Sequence, residues 1–313
     1  MGYRFPKETM DRLLADKKIL FGDDETKIIE LKVYASEFED KLSSVFELDG
    51  RTGPYDLKTL FPEGKKVFSN PKPVLLMERL ISFMTGPKDI CLDLFAGSST
   101  LAHATMEISR RDGSNRRFIS VQYPEEIGQD SKDAKEAFHF CTQVGLKPLI
   151  SEISKERTRR AGVAVRGKDG AQDWNRDVGF RVLKIDTSNM ADVYYAPDAL
   201  EKAKLDLFVD NIKPDRTPED LLFQVMLDWG VDLALPIEKK AIQGKGVFFV
   251  DGSALAACFD AHSGVDEAFV KELATHKPLR VVFRDAGFKD SAVKINVEQI
   301  FKLLSPSTEV KSI

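Results

Sequence analysis

The segment Lys88–Met106, KDICLDLFAGSSTLAHATM, passes from an apolar run through a turn of small residues into a helical pattern. The run from Ile90 to Phe95 is apolar except for Asp93, as expected of a buried parallel strand with a polar group near its carboxyl end. Four small residues form the turn: Ala96, Gly97, Ser98 and Ser99. They allow a ligand to approach the backbone, and helical spacing begins at Thr100. The pattern predicts a nucleotide site, with an ordinary strand–turn–helix as the alternative.

Two common nucleotide sites do not match this turn. A dinucleotide fingerprint needs three glycines in the order GxGxxG, whereas the turn contains Gly97 alone. A phosphate-binding P-loop needs a lysine that is missing here. NAD and ATP are therefore not favoured as ligands.

The charge of the chain argues against general attraction to nucleic acid. The formal net charge of the 313 residues is −4 and the sequence pI is near 5.8, so contact with DNA must come from local basic patches. The composition, 42% hydrophobic and 31% charged, is that of a soluble globular protein. Because no apolar run approaches the ~20 residues of a membrane span, we expect a cytoplasmic protein without membrane contact.

The cysteines and histidines do not form a metal-binding pattern. The three cysteines are Cys91, Cys141 and Cys258, which are far apart and read as small core residues. The four histidines lack HxH, HxxxH and HExxH spacing. We therefore predict no metal site.

Two further segments belong with the turn in the predicted order of elements. Pro71, Lys72 and Pro73 form an extended segment that leads into a helix over 74–85, although a proline-stiffened linker would read the same way. After the turn, the apolar residues of 118–121 predict a second strand, followed by Gln122. A nucleotide-binding βαβ unit places its ribose-binding group there, and an amide can both donate and accept hydrogen bonds.

The turn resembles the first cofactor motif of the DNA amino-methyltransferases, D-x-F-x-G-S-G-T-T, which binds S-adenosylmethionine. Ser99 replaces a glycine and Leu101 replaces a threonine of that motif. In this family a P-x-K-P segment precedes the turn and lies beside the methionine part of the cofactor, and most members have an acid where this chain has Gln122. The resemblance implies the following cofactor-binding residues: Pro71, Lys72, Pro73, Asp93, Phe95, Ala96, Gly97, Ser98, Ser99, Thr100 and Gln122.

The amino-acid sequence of the rest of the chain resembles that of the modification subunit of type III restriction-modification systems. The resemblance is carried by VQYPE at 121–125, VDGSALAACFD at 250–260 and the block at 277–306. It implies a DNA adenine-N6 methyltransferase with a Rossmann-like α/β fold. Expected partners are duplex DNA, the restriction (nuclease-helicase) subunit and a second copy of the chain.

The catalytic tetrapeptide of this class, [D/N/S]-P-P-[Y/F/W], is absent, because no two of the 14 prolines are adjacent. We therefore expect the C-terminal portion of such a subunit, without catalytic residues and inactive alone. The alternative is a non-enzymatic assembly and binding module on a degenerate methyltransferase fold. A nicotinamide oxidoreductase is a third hypothesis, which the missing glycines disfavour.

Three regions follow from this interpretation. Residues 1–60 are expected to be the tail of the recognition region, with a loop opened by Gly50, Gly53 and Pro54. Residues 61–166 are expected to bind the cofactor on a partial parallel βαβ sheet. Residues 178–313 are expected to form a smaller α/β domain for assembly. The polar segment 167–177 is the predicted boundary, and 178–185 is the first predicted strand after it. Arg157, Arg159 and Arg160 are expected at a solvated helix end, with contact to DNA phosphates as the alternative.

Overall fold

The computed structural model describes residues 6–22, 29–34, 42–191, 211–262 and 264–313, so parts of the predicted recognition tail lie outside the described residues. The chain divides into two compact units, Met1–Val182 and Leu183–Ile313. This division lies after the segment 167–177. Val178 packs on Gly162, and the Arg159 guanidinium lies 5.9 Å from the centre of the Phe180 ring, so these residues belong with the first unit.

The first unit contains two small sheets and six helices within its described residues. In chain order they are α1 (Lys7–Ala15), β1 (Ile19–Phe21), β2 (Ile29–Leu31), α2 (Thr52–Leu60), α3 (Val74–Met84), β3 (Ile90–Asp93), α4 (Thr100–Asp112), β4 (Arg117–Ser120), α5 (Lys132–Gln143) and α6 (Ile150–Arg166). Strands β1 and β2 are antiparallel, whereas β3 and β4 are parallel, with Cys91 opposite Phe118. The predicted strand–turn–helix and the second parallel strand are therefore confirmed.

The prediction that 90–95 forms a strand buried along its length is wrong for one face. Cys91 is buried against Val74 and Ile81 of α3 and against Ala104 and Ile108 of α4. Ile90, Leu92, Leu94 and Phe95 are exposed. The apolar run fits a sheet with both faces covered, whereas helices cover one face of this sheet in the described residues.

The predicted loop at Gly50, Gly53 and Pro54 is also wrong in part, because α2 begins at Thr52. Proline is tolerated in the first turn of a helix, where its missing N–H has no partner to lose. Helix α2 then holds the start of α3, since the backbone N–H of Val74 donates to Oδ2 of Asp56 at 2.8 Å. A Cβ added to Gly53 would lie 2.0 Å from the carbonyl oxygen of Pro71, so only glycine permits this contact.

The second unit is a mixed sheet with helices on both faces. Its elements are α7 (Pro218–Asp228), β5 (Ile237–Ile242), β6 (Lys245–Val250), β7 (Leu255–Cys258), α8 (Glu267–Thr275), β8 (Arg280–Phe283), α9 (Ser291–Leu304) and β9 (Glu309–Ser312). The strands lie in chain order, antiparallel from β5 to β7 and parallel from β7 to β9. Alternate residues of β6 pack into two cores, one with α8 and α9 and the other with α7.

Predicted features of this unit are confirmed at α7, whereas one predicted at the boundary before the unit is wrong. Thr217 caps α7 by accepting from the N–H of Asp220, and Pro218 is its first residue, as predicted. The predicted strand at 178–185 does not form.

The three cysteines are free and buried, as predicted from their isolation in the sequence. Among the described helices, none combines the length and the apolar character needed to cross a membrane.

Candidate cofactor site

The turn at 96–99 contains two residues with left-handed backbone conformation. Gly97 has φ of 52° and Ser99 has φ of 62°, the latter at the N-cap of α4. A residue with a side chain pays roughly 1–2 kcal/mol for this conformation, so Ser99 needs support from its surroundings. Part of it comes from the turn itself, because the N–H of Ser99 donates to the carbonyl of Ala96 at 2.6 Å.

Gln122 holds the turn from the end of β4. Its Oε1 accepts from the N–H of Gly97 at 2.7 Å, and its Nε2 donates to the carbonyl of Tyr123 at 3.0 Å. The N–H of Ala96 donates to the carbonyl of Val121 at 3.0 Å beside it. The amide thus supports the turn directly, and what remains for a ligand hydroxyl is one lone pair and one N–H of its amide group.

The segment 71–73 meets the turn through its backbone. The carbonyl of Lys72 accepts from the Thr100 hydroxyl at 3.3 Å, while Pro71 is buried and Pro73 is the N-cap of α3. The side chain of Lys72 is exposed. The structure therefore brings together the three segments that the sequence singled out.

Asp93 and Phe95 form the open side of the turn. Oδ1 of Asp93 accepts from the N–H of Phe95 at 3.1 Å. Phe95 is 90% exposed, which is unusual for an aromatic residue next to a buried turn. A cleft of about 380 Å³ between α2 and α6 is lined by other residues, among them Thr59 and Arg160, so the turn opens to solvent at Phe95 and not into this cleft.

Sequence reasoning missed that one face of α6 supports the turn. Ser154, Arg157 and Thr158 lie three and four residues apart, a spacing that places them on one side of a helix. The Ser154 hydroxyl donates to the carbonyl of Gly97, and the Thr158 hydroxyl donates to Oγ of Ser99 at 3.2 Å. The polar residues at helical spacing were a usable signal, but nothing in the sequence indicated what they face.

Arg157 is the central residue of this support, and its predicted position at a solvated helix end is wrong. Its side chain is fully buried. Nη1 donates to Oγ of Ser98 and to Oγ1 of Thr100, both at 2.7 Å, and lies 3.3 Å from the carbonyl of Ser98. Arg159, by contrast, is exposed as predicted.

Burial controls the charges beneath the turn. It lowers the pKa of Arg157 to about 10, and the negative charge of Asp56 opposes this shift. Within the described residues, Nε and Nη2 of Arg157 have no hydrogen-bond partner. Burial also lowers the pKa of His103, one turn into α4, to about 4, so this imidazole is neutral near pH 7. The turn thus lies over one buried guanidinium and, one helical turn away, a neutral imidazole.

Comparison with known proteins finds similarity to a DNA methylase family and to subunits of restriction-modification enzymes. The model of a DNA methylase family, N6_N4_Mtase, matches residues 10–133. The Type III restriction-modification enzyme EcoP15I Mod subunit of Escherichia coli is 36% identical, across 96% of this chain and 44% of that subunit. The StyLTI Mod subunit of Salmonella typhimurium is 28% identical across 59% of this chain and 27% of that subunit.

A third relative is the EcoPI Mod subunit of Escherichia phage P1, which is 25% identical across 78% of this chain and 36% of that subunit. All three are Mod subunits of restriction-modification enzymes, so the comparisons do not favour the alternative of a non-enzymatic assembly module. The chain belongs to the family of type III modification subunits, and it spans less than half the length of the curated relatives it matches.

Proposed function

We propose that this chain binds S-adenosylmethionine on the turn at 96–99 as the cofactor-binding part of a DNA adenine-N6 methyltransferase. The observation that carries the proposal is the convergence of 71–73, 93–100 and Gln122 on a turn with two left-handed residues. Gly97 has no side chain to block the approach of a ligand to the backbone. The partial sheet of β3 and β4 is then part of a Rossmann-like fold.

The chemistry of the turn fits the parts of this cofactor. The exposed ring of Phe95 offers a flat apolar surface for the adenine. The ammonium of Lys72 and the amino end of α4 suit the carboxylate of the methionine part, and the carboxylate of Asp93 suits its ammonium. The remaining hydrogen-bonding capacity of Gln122 suits a ribose hydroxyl.

When bound, the cofactor supplies an electrophilic methyl group, and the chain's own contribution is to bind and orient it. Transfer to adenine further requires that the base be extruded and held in line with the methyl group. Such positioning can lower the activation barrier by ~7–11 kcal/mol. The Pro-Pro-aromatic tetrapeptide of the family is absent from this sequence. We therefore propose that the chain binds cofactor but does not methylate DNA by itself, and that duplex DNA is a substrate of a longer or assembled enzyme.

The second unit is assigned to assembly. Its sequence at 250–260 and 277–306 carries the resemblance to the C-terminal domain of type III modification subunits, and these residues include the strands β7 and β8 and the helix α9. Proposed partners are the restriction subunit or a second copy of the chain.

Titration calorimetry with S-adenosylhomocysteine and with NADH tests the cofactor assignment. The full chain should bind the first and not the second. Gly97→Val should abolish binding, because it adds a Cβ 3.3 Å from the ring of Phe68 in a left-handed residue. Gly145→Val is the matched control, since Gly145 is also left-handed, with φ of 73°, and nothing lies within 4 Å of its added Cβ. Both variants pay the same strain of roughly 1–2 kcal/mol, and only the first should lose the ligand. Equal affinity of wild type and Gly97→Val would refute the assignment.

A further inference from the structure

A cleft of about 270 Å³ lies between helix α2 and the loop at 64–69 of the first unit. Three lysines line this cleft, which we call the lysine cleft: Lys58, Lys65 and Lys66. The rest of its lining includes the apolar side chains of Leu57 and Phe68. Within the described residues, no carboxylate belongs to the lining. A small anion that enters the cleft therefore meets cations and apolar groups without a repelling negative charge.

Ion pairs within the chain account for one of the three lysines. The ammonium of Lys66 pairs with Asp133, and both side chains are partly exposed. Among the described residues, no carboxylate lies within ion-pair distance of Lys58 or Lys65. Lys58 suits the dipole at the carboxyl end of α2, but Lys65 lies in a loop. Like charges around one cleft repel each other, and a bound anion would remove that repulsion.

The lysine cleft belongs to a basic segment of an acidic chain. Residues 51–72 contain five lysines and arginines and two carboxylates, although the whole chain has a net charge of −4. Both carboxylates have partners away from the cleft. Asp56 accepts from the N–H of Val74, and Glu63 pairs with Arg160. The segment therefore presents the local positive charge that an acidic protein needs in order to bind a polyanion.

The loop that carries two of the lysines is fixed by the core. Phe61 and Val67 lie on either side of these lysines and are buried in the same cluster. The N–H of Gly64 donates to the carbonyl of Phe61 at 3.1 Å. A Cβ added to Gly64 would collide with the side chain of Val67, so only glycine permits this close turn. A loop with a fixed backbone loses less conformational entropy when a ligand binds.

The lysine cleft borders the cofactor turn. Phe68 lines the cleft, and its ring also faces Gly97, since a Cβ added to Gly97 would lie 3.3 Å from Cζ of Phe68. Helix α2, which carries Lys58, abuts the carbonyl of Pro71 through Gly53. A ligand in the cleft is therefore next to the turn on which we place the methyl donor.

We infer that the lysine cleft binds a phosphate group of the duplex DNA backbone and so positions the DNA beside the cofactor turn. The choice of DNA rests on the proposed function, and the choice of a phosphate rests on the three lysines. Ammonium groups bind backbone phosphates through charge-assisted hydrogen bonds and release counterions. Such contacts fix the position of the duplex without reading its bases, so the cleft should act alike on every DNA sequence.

The test measures binding of fluorescein-labelled duplexes of two unrelated sequences to the full chain, by anisotropy between about 50 and about 200 mM salt. Each lysine that contacts a phosphate adds about 1 to the slope of log affinity against log salt concentration. The double variant Lys58→Gln and Lys65→Gln should therefore reduce this slope by about 2 and weaken binding of both duplexes by the same factor.

Lys88→Gln is the matched control. Lys88 is exposed, has no ion pair among the described residues, and precedes β3 at the end of the strand away from the turn. This variant should keep the wild-type slope. Because Lys58 and Lys65 are also exposed, the double variant should keep the wild-type circular dichroism spectrum.

Calorimetry with inorganic phosphate distinguishes a backbone phosphate from a free one, and it should show no binding that depends on the two lysines. Three outcomes would overturn the inference: no binding of either duplex by the wild type at low salt, a wild-type slope in the double variant, or lysine-dependent binding of inorganic phosphate as tight as that of the duplex. The double variant should bind S-adenosylhomocysteine as the wild type does. Failure of the cofactor assignment and failure of the phosphate contact therefore give different results.

Discussion

Arg157→Met tests whether α6 positions the cofactor turn. Methionine has an unbranched stem that fills much of the same space, but it donates no hydrogen bond. The variant therefore removes the two 2.7 Å bonds to Ser98 and Thr100 while keeping most of the packing. The question is whether the arginine matters for the stability of the fold or for the shape of the turn.

The expected change in the free energy of unfolding is small, because two terms oppose each other. A hydrogen bond to a charged group contributes about 1.5–3 kcal/mol, so the two lost bonds amount to about 3–6 kcal/mol. Burial of the guanidinium opposes them: the fall of its pKa from 12.5 to about 10 corresponds to a cost of about 3 kcal/mol for the charged form, which methionine avoids. The net loss of stability is therefore about 0–3 kcal/mol.

Cofactor affinity should respond more clearly than stability. Without Arg157, the turn loses the bonds that hold Ser98 and Thr100, the two neighbours of Ser99. We expect the ligand then to restore the left-handed conformation of Ser99, which costs roughly 1–2 kcal/mol. That energy corresponds to a loss of affinity for S-adenosylhomocysteine of about tenfold. Calorimetry gives the affinity and urea unfolding gives the stability. Arg159→Met is the control on the same helix, because Arg159 is exposed and pairs with Glu156.

Two results would refute this reasoning. Unchanged affinity in Arg157→Met would mean that the turn keeps its shape without the arginine. Complete unfolding of the variant would mean that Arg157 is a core residue whose hydrogen bonds far outweigh the cost of its burial.

Three other predictions concern pH, the ribose contact and catalysis. The pKa of His103 is about 4 in the folded chain and near 6.5 in the unfolded chain, so its neutral form stabilises the fold above pH 6.5 and this stabilisation is lost as pH falls toward 4. Between pH 7 and pH 5, the free energy of unfolding measured in urea should therefore fall by about 2 kcal/mol more for the wild type than for His103→Gln. The exposed His139 gives the control variant His139→Gln, and equal losses in wild type and His103→Gln would contradict the prediction. Gln122→Glu should keep the bond from the N–H of Gly97 and, with a charge-assisted contact to a ribose hydroxyl, raise affinity for S-adenosylhomocysteine, whereas Gln122→Leu should lower it; weaker binding by the glutamate variant would count against the ribose contact. With a tritiated methyl donor and mixed-sequence DNA, the chain alone should give no incorporation into adenine, and any incorporation above a protein-free control would mean that a catalytic group lies elsewhere in the chain.

The sequence was sufficient for features that depend on neighbours in the chain. The strand, turn and helix around Gly97 and the cap of α7 at Thr217 follow from local spacing and local hydrogen bonds. Features that depend on distant packing were not predictable. Arg157 is buried because α6 crosses the turn, a contact between residues 59 positions apart in the chain. The charged strands β5 and β9 lack the apolar run that revealed the inner strands of the same sheet.

The exposure of Leu92 illustrates a different limit. An apolar run indicates that a strand is suited to burial on both faces. It does not indicate whether the helices that would cover those faces belong to the same chain. The helix at α2 was missed for a local reason, because glycine and proline usually mark a loop and here occupy the first turn of a helix.

The contact of α2 with the segment 71–73 couples two regions of different predicted roles. Gly53 abuts the carbonyl of Pro71, and Asp56 caps α3, while the neighbouring carbonyl of Lys72 accepts from Thr100 of the turn. A displacement of α2 therefore cannot leave the turn unchanged. By thermodynamic reciprocity, whatever binds the region of α2 and changes the affinity for the cofactor by some factor must itself be bound more tightly or more weakly, by that same factor, when the cofactor is present.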